Sequence, residues 1–369
     1  MALQVQERGE TAARRPFRMV CFGDSVMWGQ GLPRHQTYAN HVWRKLEPGG
    51  PGAAPGPLMY AHAGAVLGAR DALSDRVVGR LERLAGLLFG LRSVPPWIRP
   101  GIGNEIASAE PSVVQQVESF DDSPRTVDLV LINGGGNDIG AVWYMRPSTS
   151  LHRLKAKIER HCYADMKALL ERVAEKFPNA CIVVPGYMQS LSSETKSAVL
   201  DTYFARQMVL FIVWRRRRAL DRVFERNVMF RMETASALQR AVEAANKTDL
   251  ARRGREHAAE DARIIFAEAD AYQPFNAANA GRPWVWGVDL RGMCPEDSLR
   301  DFRLGACRRF TRWSPWYWAS LGHPNAQGAA ELGEAILARL ADWAKANPDG
   351  RFADIRARLA KVNVPPPLP

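Results

Sequence analysis

Five short apolar runs without polar alternation recur along the chain, at 17–22, 58–63, 127–132, 180–185 and 263–267. Runs of this kind read as strands buried on both faces of a parallel sheet. Between them lie stretches with an apolar residue at every third or fourth position, at 38–46, 151–177 and 325–343. Each predicts an amphipathic helix, and Pro178 with Asn179 closes the second. Strands alternating with helices predict an α/β fold with about five parallel strands covered on both faces. Two stretches break the alternation. One is 71–91, with Val77, Val78, Leu81, Leu84 and Leu88 on a helical pattern that ends before Pro95 and Pro96. The other is 193–246, which is nearly all helix-forming residues and includes four arginines at 215–218. A strand–helix unit needs neither, so both read as helical insertions above the sheet, at about 71–105 and 193–260, the second cap-like. The rest, 15–345, reads as one domain, with 1–14 and the Pro-rich 362–369 as flexible termini.

In doubly wound sheets ligands bind beyond the carboxyl ends of the strands. The first run is followed by Gly23-Asp24-Ser25, the second by Ala61-His62-Ala63-Gly64-Ala65, and the third by Asn133-Gly134-Gly135-Gly136-Asn137-Asp138. Ahead of the last helical pattern stands Ser320-Leu321-Gly322-His323-Pro324-Asn325. Ser, Gly, Asn and His thus arrive in that order at one expected edge. The chain resembles the SGNH hydrolases, also called GDSL esterases/lipases, in four ordered blocks. These are GDS at 23–25, Gly64, GxND at 135–138 and HPN at 323–325, which together span most of the chain.

The resemblance implies a flavodoxin-like α/β/α sandwich and ester hydrolysis through an acyl-enzyme. Ser25 is then the nucleophile, a weak one that needs a base beside it. His323 is that base, suited to shuttling a proton near neutrality. The Ser25 and Gly64 backbone N–H groups and the Asn137 amide form the oxyanion hole, with Gly64 lacking a Cβ so that substrate approaches its backbone. One position departs from the pattern. Most relatives carry Asp three residues before the catalytic His, and here that residue is Ser320. The orienting group for His323 stays open between the main-chain carbonyl of Ser320, which is favoured, and a distant acid such as Asp289, Asp297 or Asp301. Feeble activity is the third outcome. Two other functions stay open: an acyltransferase of the same fold with a non-water acceptor, and a basic membrane-surface binding protein with a degenerate site.

Each nomination has a plainer rival. Ser25 suits a helix cap, Asp24 a turn, and Asn137 with Asp138 the close of one. Pro324 after His323 suits the first turn of a helix. The 134–136 glycines lack GxGxxG spacing and a following lysine, so they do not read as a phosphate cradle. The other histidines show no paired ligand spacing, so neither metal nor cofactor is expected. Aromatic residues crowd the blocks. Trp28, Trp143, Trp316 and Trp318 are candidates for the substrate pocket, against the alternative that they pack long loops.

At 369 residues, with 46% apolar and 24% charged positions, the composition excludes a disordered chain, a collagen and a coiled coil. Lys and Arg exceed Asp and Glu by 50 to 39, a net +11. That surplus fits an anionic partner, or an Arg-rich genome. No RRM, KH or zinc-finger pattern occurs, so nucleic acid is not expected. The run 208–218 joins an apolar stretch to four arginines and reads as a buried helix end or as an interfacial helix on acidic lipid. The expected partner is a small-molecule or lipid ester, with a transient contact to an acidic membrane surface left open. The first residues lack an apolar core like that of a signal peptide, and the longest apolar run is too short to span a bilayer. The expectation is a cytoplasmic protein. Of five cysteines, Cys21 and Cys181 read as core, while Cys294 and Cys307 flank a polar loop and would pair only in an oxidising compartment.

Overall fold

A computed structural model describes residues 16–47, 56–68, 103–105, 107–196, 216–255, 261–287, 296–306, 319–347 and 352–362. Five parallel strands form one sheet: β1 (Met19–Phe22), β2 (Leu58–Met59), β3 (Leu129–Ile132), β4 (Cys181–Pro185) and β5 (Ile264–Ala267). Their order is β2-β1-β3-β4-β5, the doubly wound order of flavodoxin-like sheets. Pairing is continuous across the sheet, with Met59 and Leu131 on either side of Cys21, then Val183 beside Leu131 and Ile265 beside Val183. The predicted α/β fold with five parallel strands is observed. The 58–63 run is the exception in detail: only Leu58 and Met59 pair, and Leu58 is exposed.

Side chains alternate across each strand and build one core on each face. Met19, Cys21, Leu129, Leu131, Cys181 and Val183 face α2 (Tyr38–Leu46), α10 (Ala326–Ala346) and α11 (Ala353–Leu359). Val20, Phe22, Val130, Ile132, Ile182, Val184, Ile264 and Phe266 form the opposite core. That core is closed by α3 (Val113–Glu118) and by the long helix α6 (Leu151–Ile158) and α7 (Met166–Lys176), joined through a π-helical turn at Glu159–Asp165.

The same core takes in α8 (Arg216–Arg252), through Ala237, Leu238, Ala241, Val242 and Ala245. This corrects the expected cap. From Phe230 onward the helix lies along the sheet as the β4–β5 crossover, and its small residues allow close approach to the strands. The 71–102 insertion, the apolar run 208–215, Cys294 and Cys307 lie outside the described residues. Cys21, Cys162 and Cys181 are buried thiols without a disulfide. Among the described residues no helix is long and apolar enough to cross a membrane.

Candidate active site

The sheet order reverses between β1 and β3, so the crevice of a doubly wound fold opens beyond the ends of those two strands. Beyond β1 the chain makes a sharp turn into the single-turn helix α1 (Ser25–Trp28). Asp24, not Ser25, is its cap: Asp24 Oδ1 accepts from Val26 N at 2.9 Å. The Asp24 carboxylate is buried and also accepts from Asn133 Nδ2 at 2.8 Å and from the Tyr187 hydroxyl at 3.0 Å. Gly23 is held by Gln116, which accepts from its N–H at 2.8 Å and donates to its carbonyl at 3.0 Å. A Cβ at Gly23 would fall 1.9 Å from Asn133 Oδ1, so only glycine fits. The backbone that carries Ser25 is thus anchored through Gly23 and Asp24.

His323 arrives from the other end of the chain. The segment 284–286 runs beside it, with Val285 paired to Pro324, Trp286 N donating to His323 O at 2.8 Å, and Asn325 N donating to Trp284 O at 2.9 Å. Asn325 then caps α10 by accepting from Gly328 N at 2.9 Å. So held, His323 Nε2 lies 2.7 Å from Ser25 Oγ, and Nδ1 lies 3.2 Å from the Ser320 carbonyl. A carbonyl only accepts, so Nδ1 carries the proton and Nε2 presents its lone pair to the Ser25 hydroxyl. Burial holds the imidazole below its ordinary pKa. The Asp24 charge and the backbone bonds at Ser320 and Leu321 oppose that shift, and Arg303 adds to it.

Of the three acids considered, Asp301 is exposed and pairs with Arg300, and Asp289 lies outside the described residues. Asp297 is buried and accepts from the Ser320 hydroxyl at 2.6 Å, so it touches the residue that holds His323 and not His323 itself.

β3 leads through the glycines into α4 (Gly136–Ile139), which carries Asn137 and Asp138. Asn137 Nδ2 donates to Ala65 O at 2.9 Å, and Asp138 accepts from Leu67 N at 3.0 Å. Both side chains therefore pin the loop after β2 on which Gly64 sits. Burial raises the Asp138 pKa, and the Leu67 N–H offsets part of the shift. Gly64 has φ +82°, and a Cβ there would come 2.6 Å from Ser108 N and about as close to the backbone of Ala107. The packing of its own loop against 107–108 is enough to require glycine there. Among the described residues neither Ser25 N–H nor Gly64 N–H has a partner.

A cavity of about 120 Å³ opens over Ser25 and His323, walled by Tyr144, Tyr187, Met188, Phe230 and Leu321, with Asn137 at its edge. Trp28 and Trp143 are not in this wall. The indole N–H of Trp28 is drawn to Glu105 Oε2 at 2.5 Å, and its ring lines a separate cleft with Arg34 and Asn40. Trp143 packs against the far core with Lys157 over its ring at 5.1 Å. Trp316 and Trp318 lie outside the described residues. The aromatic wall comes instead from Tyr144, Tyr187 and Phe230, with Tyr144 and Phe230 stacked at 4.3 Å. Tyr187 follows β4 at the same sheet edge, a position where a side chain facing the crevice is to be expected. Gln116 had no comparable signal. Among the described residues no cluster of His, Cys, Asp or Glu is arranged to hold a metal ion.

No family model and no curated protein matches the chain. The solved structures similar to it include two lipolytic enzymes by name. Phospholipase A1 from Streptomyces albidoflavus NA297 is 14% identical with a TM-score of 0.42, over 88% of this chain and 100% of that one. The extracellular lipase from Streptomyces rimosus is 15% identical with a TM-score of 0.41, over 88% of this chain and 98% of that one.

Proposed function

We propose that the protein is a serine ester hydrolase of the SGNH (GDSL) type, acting on carboxylic esters through an acyl-enzyme on Ser25. The observation that carries this reading is the 2.7 Å contact between Ser25 Oγ and a His323 whose other nitrogen is anchored on a carbonyl. A hydroxyl in bonding reach of an oriented, neutral imidazole is the arrangement that activates a serine. Ser25 Oγ attacks the ester carbonyl carbon while its proton passes to His323 Nε2. The carbonyl oxygen takes the charge and is met by the Ser25 and Gly64 N–H groups and by the second N–H of the Asn137 amide, the first being spent on Ala65. Collapse of the intermediate expels the alcohol, which takes the proton from His323. Water, deprotonated by the same nitrogen, then attacks the acyl carbon; the acid leaves and Ser25 recovers its proton.

The small aromatic cavity favours compact acyl groups, and the test is a series of chromogenic esters from acetyl to palmitoyl. Wild-type protein is expected to hydrolyse the short members, with a burst of alcohol at one equivalent of enzyme if deacylation is slow. Ser25→Ala with retained circular dichroism should lose turnover and labelling by a fluorophosphonate. Turnover that survives in Ser25→Ala overturns the assignment.

A further inference from the structure

Behind the histidine's carbonyl lies a buried ionic cluster that the reaction steps do not use. The Arg303 side chain is fully enclosed and reaches two carboxylates, Asp297 through both terminal nitrogens and Glu105 through Nη1 at 2.5 Å. Glu105 Oε1 accepts from Gln30 Nε2 at 2.8 Å and from Gly31 N at 3.0 Å, and its Oε2 accepts from Trp28 Nε1. Trp28 is the last residue of the nucleophile's helix, and Gln30 and Gly31 follow its Gly29 cap. On the other side Asp297 takes the Ser320 hydroxyl. The cluster therefore joins the segment that carries Ser25 to the segment that carries His323. It does so through groups nearly out of contact with water, where such bonds are strong and costly to break. Close packing tightens the junction: a Cβ on Gly31 would meet Ser320 Cβ at 2.8 Å and Asp297 Oδ1 at 3.1 Å.

We propose that Asp297 and the Ser320 side chain form a positioning clamp, fixed by Arg303 and Glu105, that aims the Ser320 carbonyl at His323 Nδ1 and so sets the Ser25–His323 distance. In most SGNH-like sequences an acid three residues before the histidine would touch the ring directly. Here a serine stands there, its main chain touches the ring, and the acid grips the serine from behind. Asp297 is thus a positioning residue and not a catalytic one. The inference rests on the Ser25–His323 reading of the site.

Ser320→Ala is the decisive variant, because it removes the grip while leaving the carbonyl and the whole ionic cluster in place. With a short-chain ester, kcat is expected to fall by about 10–100-fold, the scale of a loosened catalytic geometry, with KM within twofold and the thermal midpoint lowered by a few degrees for the lost buried hydrogen bond. The downfield proton signal of His323 Nδ1–H should move toward that of an unbonded imidazole. Asp297→Asn should act in the same direction, and the double variant should be no slower than Ser320→Ala, since both break one contact. If Asp297→Asn fails to fold, Ser320→Ala alone decides. Wild-type kcat and an unmoved Nδ1 proton in Ser320→Ala overturn the clamp. Ser25→Ala is run beside it: a dead Ser25→Ala with a normal Ser320→Ala defeats the clamp only, whereas an active Ser25→Ala defeats the ester-hydrolase reading and the clamp with it.

Discussion

Nδ1 of His323 faces a neutral acceptor, so no carboxylate in direct contact props up the imidazolium. Burial then dominates and the ring's pKa falls below the ordinary value of about 6.5. In the proposed reaction only the neutral ring accepts the serine proton. The sign follows: kcat/KM rises with pH through an acid limb centred below about 6.5 and is flat above it until the protein itself suffers. A pH profile on a short-chain ester measures the limb; a midpoint above the ordinary imidazole value would contradict the burial argument. Asp24 is the nearest charge that opposes the shift, so Asp24→Asn should carry the limb to still lower pH, provided the α1 turn survives the loss. At Asn137 one amide proton is committed to Ala65, and in the proposed reaction the other meets the oxyanion. Asn137→Ala should therefore lower kcat by about 10²–10³ with a smaller change in KM, and saturation kinetics separate the two.

Among elements, the strands and α2 were legible because their apolar periods are short and uninterrupted. The α2 bounds predicted from 38–46 coincide with those observed. The edge strand β2 was over-read: an apolar run reports burial, and residues 61–63 are buried in the loop after the strand without pairing in the sheet. α8 was misplaced for a different reason. Half of its residues in the far core are alanines, so its apolar face looks weak in the sequence, yet Ala237, Ala241 and Ala245 are fully buried there. The packed arrangement makes a clear prediction. Ala241→Leu should overpack the sheet–helix interface and cost about 1–3 kcal/mol, read as a lower urea midpoint. A cap standing clear of the sheet would tolerate the same change. The four blocks of the site were visible because each sits at a strand end or a helix start. Gln116, Tyr187 and the Glu105–Arg303 pair were not. They bond across separations of 93, 163 and 198 residues, and no local pattern encodes a partner that distant.

At the scale of the whole molecule, two of the buried charged stations among the described residues have different duties. The Arg303 station joins the two halves of the candidate site. The other sits at the opposite end of the sheet, where Arg263 precedes β5 and is almost fully enclosed. Its guanidinium pairs with Asp249 of α8 at 2.9 Å through both Nε and Nη2, and it donates to Phe177 O at 2.7 Å, Ala180 O at 2.9 Å and Ala174 O at 2.6 Å. One side chain thus closes the C-terminal end of α7, the start of β4 and the last turns of α8. Removing it leaves the buried Asp249 carboxylate with Arg253 as its ionic partner and takes a donor from three carbonyls. Arg263→Ala should cost about 3–5 kcal/mol in urea unfolding. Asp249→Asn, which leaves the arginine its carbonyl partners, should cost less. Because Ser25 and His323 lie beyond the other ends of the strands, the surviving folded fraction of Arg263→Ala should keep wild-type kcat per titrated Ser25. A large loss of kcat at full titration would mean that this end of the sheet is coupled to the site, which no bond among the described residues supports.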